Sequence, residues 1–95
     1  MDVLQIWNSR IAHWASKGLT GVDLYLALAA DHELPAEFSP GELSEITGMA
    51  LSSVKKRRVR GQAPNFVRLG ARTVRYMRSD VCHWLASRYV QQEAA

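Results

Sequence analysis

The 95-residue chain has one cysteine, three prolines and no mostly apolar run longer than VDLYLALAA (22–30). The lone thiol of Cys82 can form no intrachain disulfide, so nothing in the sequence asks for an oxidising compartment. The apolar run is far shorter than the roughly 20 residues a membrane-spanning helix needs, and it contains Asp23. The first residues lack the basic, apolar and small-residue blocks of a secretory leader, so a cytoplasmic location with no membrane partner is the expectation. Metal-ligand spacing is missing as well. Cys82 and His83 are adjacent, and no CxxC or HxxxH element joins them or His13 and His32. No P-loop, GxGxxG, Ser–His–Asp set or paired carboxylates can be recognised. Catalytic residues, a metal, a cofactor and a small-molecule ligand are therefore not expected.

Acidic residues are scarce in one half only. Residues 51–95 hold ten Lys or Arg against two Asp or Glu, a balance of +8; residues 1–50 hold two against seven, a balance of −5. The formal net charge of +3 conceals this division. A half so basic is the electrostatic footprint of a polyanion binder. With 47% hydrophobic and 22% charged residues, the composition is that of one globular domain around one core.

Periodicity predicts mainly helical structure. DVLQIWNSRIAHWASKG places Leu4, Trp7, Ile11, Trp14 and Ala15 on one stripe, with Asp2 as the cap and Lys17-Gly18 at the end. TGVD (20–23) is a start signal for a short helix through VDLYLALAA, apolar on most sides and so buried between neighbours or against another subunit. DHELPAEF (31–38) reads as a connector. SPGELSEITG (39–48) then has Ser39 as cap, Pro40 at the first helical position, Glu42 completing a capping box, and Gly48 at the end. LSSVKKRRVR restarts the helix at once and Gly61 closes it. FVRLGARTVRYM (66–77) reads as a β-hairpin with Val67, Leu69, Val74 and Tyr76 inward and Gly70 in the turn. RSDVCHWLASRYV (78–90) is helical, capped by Ser79 or Asp80, and residues 91–95 form a frayed end.

Two short helices joined at a glycine turn are what a helix-turn-helix requires. Leu43, Ser44, Gly48, Met49 and Val54 occupy the positions that let the pair approach closely. With Val54 inward, Ser52, Lys55, Lys56 and Val59 face outward, with Ser53 and Arg60 at the edges. Such a face suits a DNA major groove. Arg68, Arg72 and Arg75 on or beside the hairpin turn suit backbone phosphates or a neighbouring minor groove.

Residues 38–88 also resemble the MerR-like winged-helix domains of phage excisionases and AlpA-type regulators. The likeness lies in FSPGELSEITG, SSVKKRRVRGQAPNFVRLG and VRYMRSDVCHWL, with Gly61, Pro64, Phe66, Leu69-Gly70, Arg75-Tyr76, Asp80-Val81 and Trp84-Leu85 at matching intervals. It implies a winged helix-turn-helix with a two-stranded β-wing over residues 38–90; the periodicity of residues 1–37 adds an N-terminal helical pair before it. The expected DNA contacts are Ser52, Ser53, Lys55, Lys56, Arg57, Arg58, Val59 and Arg60 on the second helix and Arg68, Arg72 and Arg75 on the wing. The implied function is that of a recombination directionality factor, which binds and bends attachment-site DNA beside an integrase and self-associates on it. An AlpA-type transcriptional regulator is the alternative. Two positions depart from the family: Ala50 stands where a capping Ser is frequent, and Arg57 where an aromatic is common. Arg57 is expected to reach outward toward DNA rather than pair with Glu42 or Glu45.

Residues 1–37 lie outside the likeness. Their acidic balance argues against DNA contact, and their aromatics either enlarge the core or form a protein interface through Trp7, Ile11, Trp14 and Tyr25. A protein-interaction module built on this segment is the alternative from another functional class. KKRR as a localisation tag and an RNA-binding role are less favoured: the run lies inside an ordered helical pattern, and Phe66, Tyr76 and Trp84 look committed to the core rather than to stacking.

Overall fold

The structure, a computed structural model, describes residues 2–92, so residues 93–95 of the expected frayed end lie outside it. Five helices and a small antiparallel sheet follow one another as α1 (Val3–Ser16), α2 (Gly21–Ala29), β1 (Glu37–Phe38), α3 (Pro40–Thr47), α4 (Leu51–Val59), β2 (Val67–Arg68), β3 (Val74–Met77) and α5 (Arg78–Arg88). No helix among the described residues is long and apolar enough to cross a membrane.

Helix α1 starts where the sequence places it. Asp2 accepts from the Gln5 N–H at 2.9 Å and the Gln5 side chain accepts from the Asp2 N–H at 3.0 Å, closing a capping box. Helix α2 lacks such help, because the Thr20 side chain makes no capping hydrogen bond. Packing holds it instead: α2 lies against both α1 and α5, with Leu28 fully enclosed. Val22 and Leu26 on its other side remain exposed.

The aromatic stripe of α1, a candidate outward interface, turns inward. Trp7 is 3% exposed and meets Phe38 edge-on at 6.3 Å between ring centroids. Ile11, Trp14 and Tyr25 are partly buried against the same core. That core is continuous, running from Val3 and Trp7 through Leu28 and Leu34 to Phe38, Leu43, Val54, Tyr76 and Val81. Residues 1–37 and 38–90 therefore share one apolar interior.

Two charged side chains fix the segment between α2 and β1. Asp31, its side chain 3% exposed, accepts from Arg10 Nε at 2.7 Å, Trp14 Nε1 at 2.8 Å and the Glu33 N–H at 2.9 Å. Burial alone would raise its pKa, but the bonds from Arg10, Glu33 and Trp14 outweigh burial and hold the carboxyl below the usual aspartate value. Arg78 donates to the carbonyls of Ala29 (3.1 Å) and Leu34 (3.0 Å), and its backbone N–H donates to the Ala36 carbonyl at 2.8 Å. Cys82, one turn into α5, is fully enclosed; burial pushes its thiol up to about 12, against the pull of the Arg78 charge.

The sheet has three strands rather than two, in the order β1-β3-β2, all antiparallel. Phe38 pairs with Tyr76 and Glu37 with Met77; Val67 pairs with Arg75 and Arg68 with Val74. This register corrects the expected faces of β2. Residues directly opposite share a face, so Val67 lies with Arg75 on the outer side, 42% exposed, and Leu69 follows it at 61%. Phe66 takes the inward place, near Tyr76 at 6.2 Å. Gly70 does not adopt a positive φ; the hairpin closes through the Leu69 N–H bond to Thr73 at 2.8 Å. Helix α5 follows β3 without a loop, so Met77 rather than Ser79 or Asp80 is its cap position, and no side chain caps it.

The Asp31 cluster makes a pH-dependent prediction. Asp31→Asn weakens the bonds from Arg10 and Trp14 and should lower stability at pH 7 by about 1–3 kcal/mol, measured by urea unfolding. Because the folded carboxyl titrates below the unfolded one, its contribution is complete above about pH 3.9 and is lost as pH falls through the lower folded value. The gap between wild type and Asp31→Asn should narrow over that acid range. A gap that stays constant there would contradict the assignment.

Candidate nucleic-acid interface

The α3–α4 unit is built from its caps inward. Ser39 Oγ accepts from the Glu42 N–H at 3.1 Å, and the Glu42 carboxylate accepts from the Ser39 N–H at 2.9 Å. Pro40 stands at the first helical position, where its missing N–H removes no helical bond. Leu43 is fully buried, and Gly48 ends the helix at φ 77°, a left-handed conformation that favours glycine. The tight turn is braced by α3 hydroxyls: Ser44 donates to the Met49 carbonyl at 2.6 Å, and Thr47, itself donating to the Leu43 carbonyl, accepts from the Met49 N–H at 3.3 Å.

Helix α4 itself starts without a side-chain cap. Ala50 occupies the cap position of α4 and offers no side-chain acceptor, and neither Ser52 nor the hairpin replaces it. The Ala50 carbonyl takes the N–H groups of Ser53 (2.9 Å) and Val54 (3.1 Å), and α4 begins there. At the other end the Gln62 N–H bonds to the Arg57 carbonyl at 2.8 Å and the Gly61 N–H to Arg58 at 3.1 Å, with Gly61 at φ 68°. That is a Schellman closure. Lys56, Arg57 and Arg58 sit in the last turn, where cations complement the helix dipole.

The four consecutive cations separate into two sets. Val54 is 2% exposed, and Arg57 and Arg58, three and four residues on, lie on the same flank of the helix. Arg57 neither extends outward nor pairs with Glu42 or Glu45. Its Nε donates to the Ala63 carbonyl at 2.7 Å and its guanidinium lies 5.1 Å from the centre of the Trp84 ring. The aromatic stacking partner is thus supplied by α5 and the cation by α4. Arg58 donates to the Tyr76 hydroxyl at 3.2 Å and lies 6.0 Å from the Phe66 ring centre. Both are thereby positioning residues that tie α4 to the 62–66 segment, the sheet and α5.

Opposite Val54, the side chains of Ser52, Ser53, Lys55, Lys56, Val59 and Arg60 are all exposed. On the hairpin Arg68 is exposed with its guanidinium 5.6 Å from the Phe66 ring centre, and Arg72 is exposed in the 69–73 turn. Arg75 is only partly available: it donates to the Val74 carbonyl at 2.9 Å and faces Glu37 at 3.8 Å. Among the described residues the ion pairs are Arg10–Asp31 and Arg75–Glu37. Lys55, Lys56, Arg60, Arg68 and Arg72 thus make no ion pair among the described residues. No cluster of three or more His, Cys, Asp or Glu with the closeness of a metal site occurs among the described residues.

Comparison with protein-family models, with curated proteins and with solved structures gives no match to this chain.

Sequence reasoning missed the bracing roles of Ser44 and Thr47 and the inward use of Arg57 and Arg58. For the arginines a signal existed, since spacings of three and four from a buried Val54 define one helix flank. The division predicts unequal stability effects. Arg57→Ala and Arg58→Ala should each cost about 1–2 kcal/mol, a fall of roughly 5–10 °C in Tm for a chain of this size. Lys55→Ala should leave Tm unchanged. Thermal unfolding followed by circular dichroism checks this, and equal Tm for all three variants would contradict the division.

Proposed function

We propose that the protein binds duplex DNA in a sequence-directed manner as a winged helix. In this reading α3 and α4 are the helix-turn-helix, α4 enters the major groove, and the β2–β3 hairpin is the wing that meets phosphates. The observation that carries the reading is the acid-free strip of α4 opposite Val54, in which Lys55, Lys56 and Arg60 are exposed without an ion-pair partner among the described residues. A nine-residue helix is about 14 Å long and its width suits a groove about 12 Å across. Arg68 and Arg72 supply further cations on the hairpin, whose base is joined to α4 through Arg58, Tyr76 and Phe66. Residues 1–37 hold two Lys or Arg against five Asp or Glu, a balance that favours keeping α1 and α2 away from phosphates.

Within this class we favour a recombination directionality factor, an excisionase-like accessory that bends attachment-site DNA, self-associates on it and assists an integrase. That finer reading rests on the resemblance of residues 38–88, and an AlpA-type regulator of promoter DNA would use the same grip. The module acting through residues 1–37 has less support, since Trp7 is enclosed and Trp14 is bonded to Asp31. Excision measured with an integrase, in the presence and absence of the protein, separates the two DNA-binding roles: stimulation supports the accessory and no effect supports the regulator.

Salt dependence tests the class as a whole. With about four or five phosphates neutralised, log Kobs should fall against log salt with a slope of about −4, each phosphate contributing about −0.9. A slope near zero in a filter-binding or fluorescence-anisotropy titration would overturn the reading.

A further inference from the structure

We infer that Val59 reads the 5-methyl group of a thymine in the major groove. The inference rests on the DNA-binding reading and adds to it the chemical identity of one recognised base. Val59 is 84% exposed, more than any other large apolar side chain among the described residues. A single exposed apolar residue is ordinary, but this one has a particular setting. It lies on the strip with Ser52, Lys55 and Lys56, one turn beyond the lysines. The neighbouring Arg58 is turned onto Tyr76 and Phe66, so its guanidinium does not cover Val59 from the strip side. A β-branched residue in the last turn of α4 also gives up helix propensity relative to the Lys or Arg that fill the rest of the run. Position 59 is thus unfavourable in the free protein on two counts, solvation and propensity.

Burial against another surface removes the first of these, and the charge around Val59 says which surface. Lys55, Lys56 and Arg60 have no carboxylate partner among the described residues, so whatever covers Val59 must supply anions around an apolar spot. A major groove does so: phosphates line both edges, and thymine presents there the one apolar group of any base edge, its C5-methyl. An acidic protein patch would need both features arranged at the same spacing. The lysines hydrogen-bond to base acceptors or phosphates, and Val59 makes the contact that tells thymine from cytosine at its position.

The test uses the full chain and a duplex chosen by the wild-type protein from a library with a randomised 14-base-pair centre. Each thymine of the selected duplex is replaced singly by deoxyuridine, which deletes only the methyl group. Wild-type binding should weaken about fourfold at one thymine, the equivalent of one buried methyl group, and Val59→Ser should bind the thymine and uracil duplexes equally well. Because Val59 is exposed, the variant should keep the wild-type Tm, and this is measured alongside. A uracil effect of the same size in both proteins, no effect at any thymine, or a selected site without thymine would overturn the inference and leave DNA binding standing. Retention of duplexes with no enrichment would overturn it too. No retention of any duplex would overturn the DNA-binding reading itself.

Discussion

Arg78 ties the two ends of this fold together. It stands where β3 becomes α5 without an intervening loop; from there one hydrogen bond reaches Ala29 at the end of α2, and two reach Leu34 and Ala36 in the connector that follows. Asp31 ties the same connector to Arg10 and Trp14 of α1. Short helices and two-residue strands have little stability of their own. The enclosed set of Trp7, Leu28, Phe38, Leu43 and Tyr76 buries them together, and the charged bonds fix the connector against α1 and α5. The hairpin inherits its position from β3, and β3 from β1 and Arg78.

That rigid inner frame gives the basic half its order. Cations that point inward on α4 are held by Ala63, Trp84, Tyr76 and Phe66, and they fix how the hairpin base lies against the helix. Cations that point outward have no carboxylate neighbour among the described residues and are available to a polyanion. One charge run thus does two jobs: Arg57 and Arg58 position, while Lys55, Lys56 and Arg60 present. Restricting the presented set to one strip matters for specificity, because a helix basic on all sides would meet phosphates in many orientations.

Much of this was legible in the sequence wherever the deciding interactions are local. Asp2, the Ser39–Pro40–Glu42 box, Gly48 and Gly61 act within a turn of themselves, so their neighbours alone reveal the helix boundaries. The mainly helical architecture and the hairpin follow from the same local signals. Long-range facts were not legible. Strand β1 is two residues long, too short for any alternation, and exists because β3 offers it an edge. The face of β2 depended on a register set by pairing, and an error of one residue exchanged Phe66 with Val67. Asp31 and Arg78 look like ordinary surface charges until their partners, 21 and 49 residues away in the chain, are brought to them. The aromatic stripe of α1 carried no mark separating a core from an interface, and Phe38 decided it.

In the proposed complex, duplex DNA meets the strip of α4 and the hairpin while α1 and α2 stand clear. Backbone amide shifts of the isotopically labelled protein, followed by NMR as duplex DNA is added, test it most directly. The largest changes should fall within residues 52–60 and 68–73, with residues 3–29 nearly unmoved. Changes concentrated on α1 and α2, or none at saturating DNA, would contradict it.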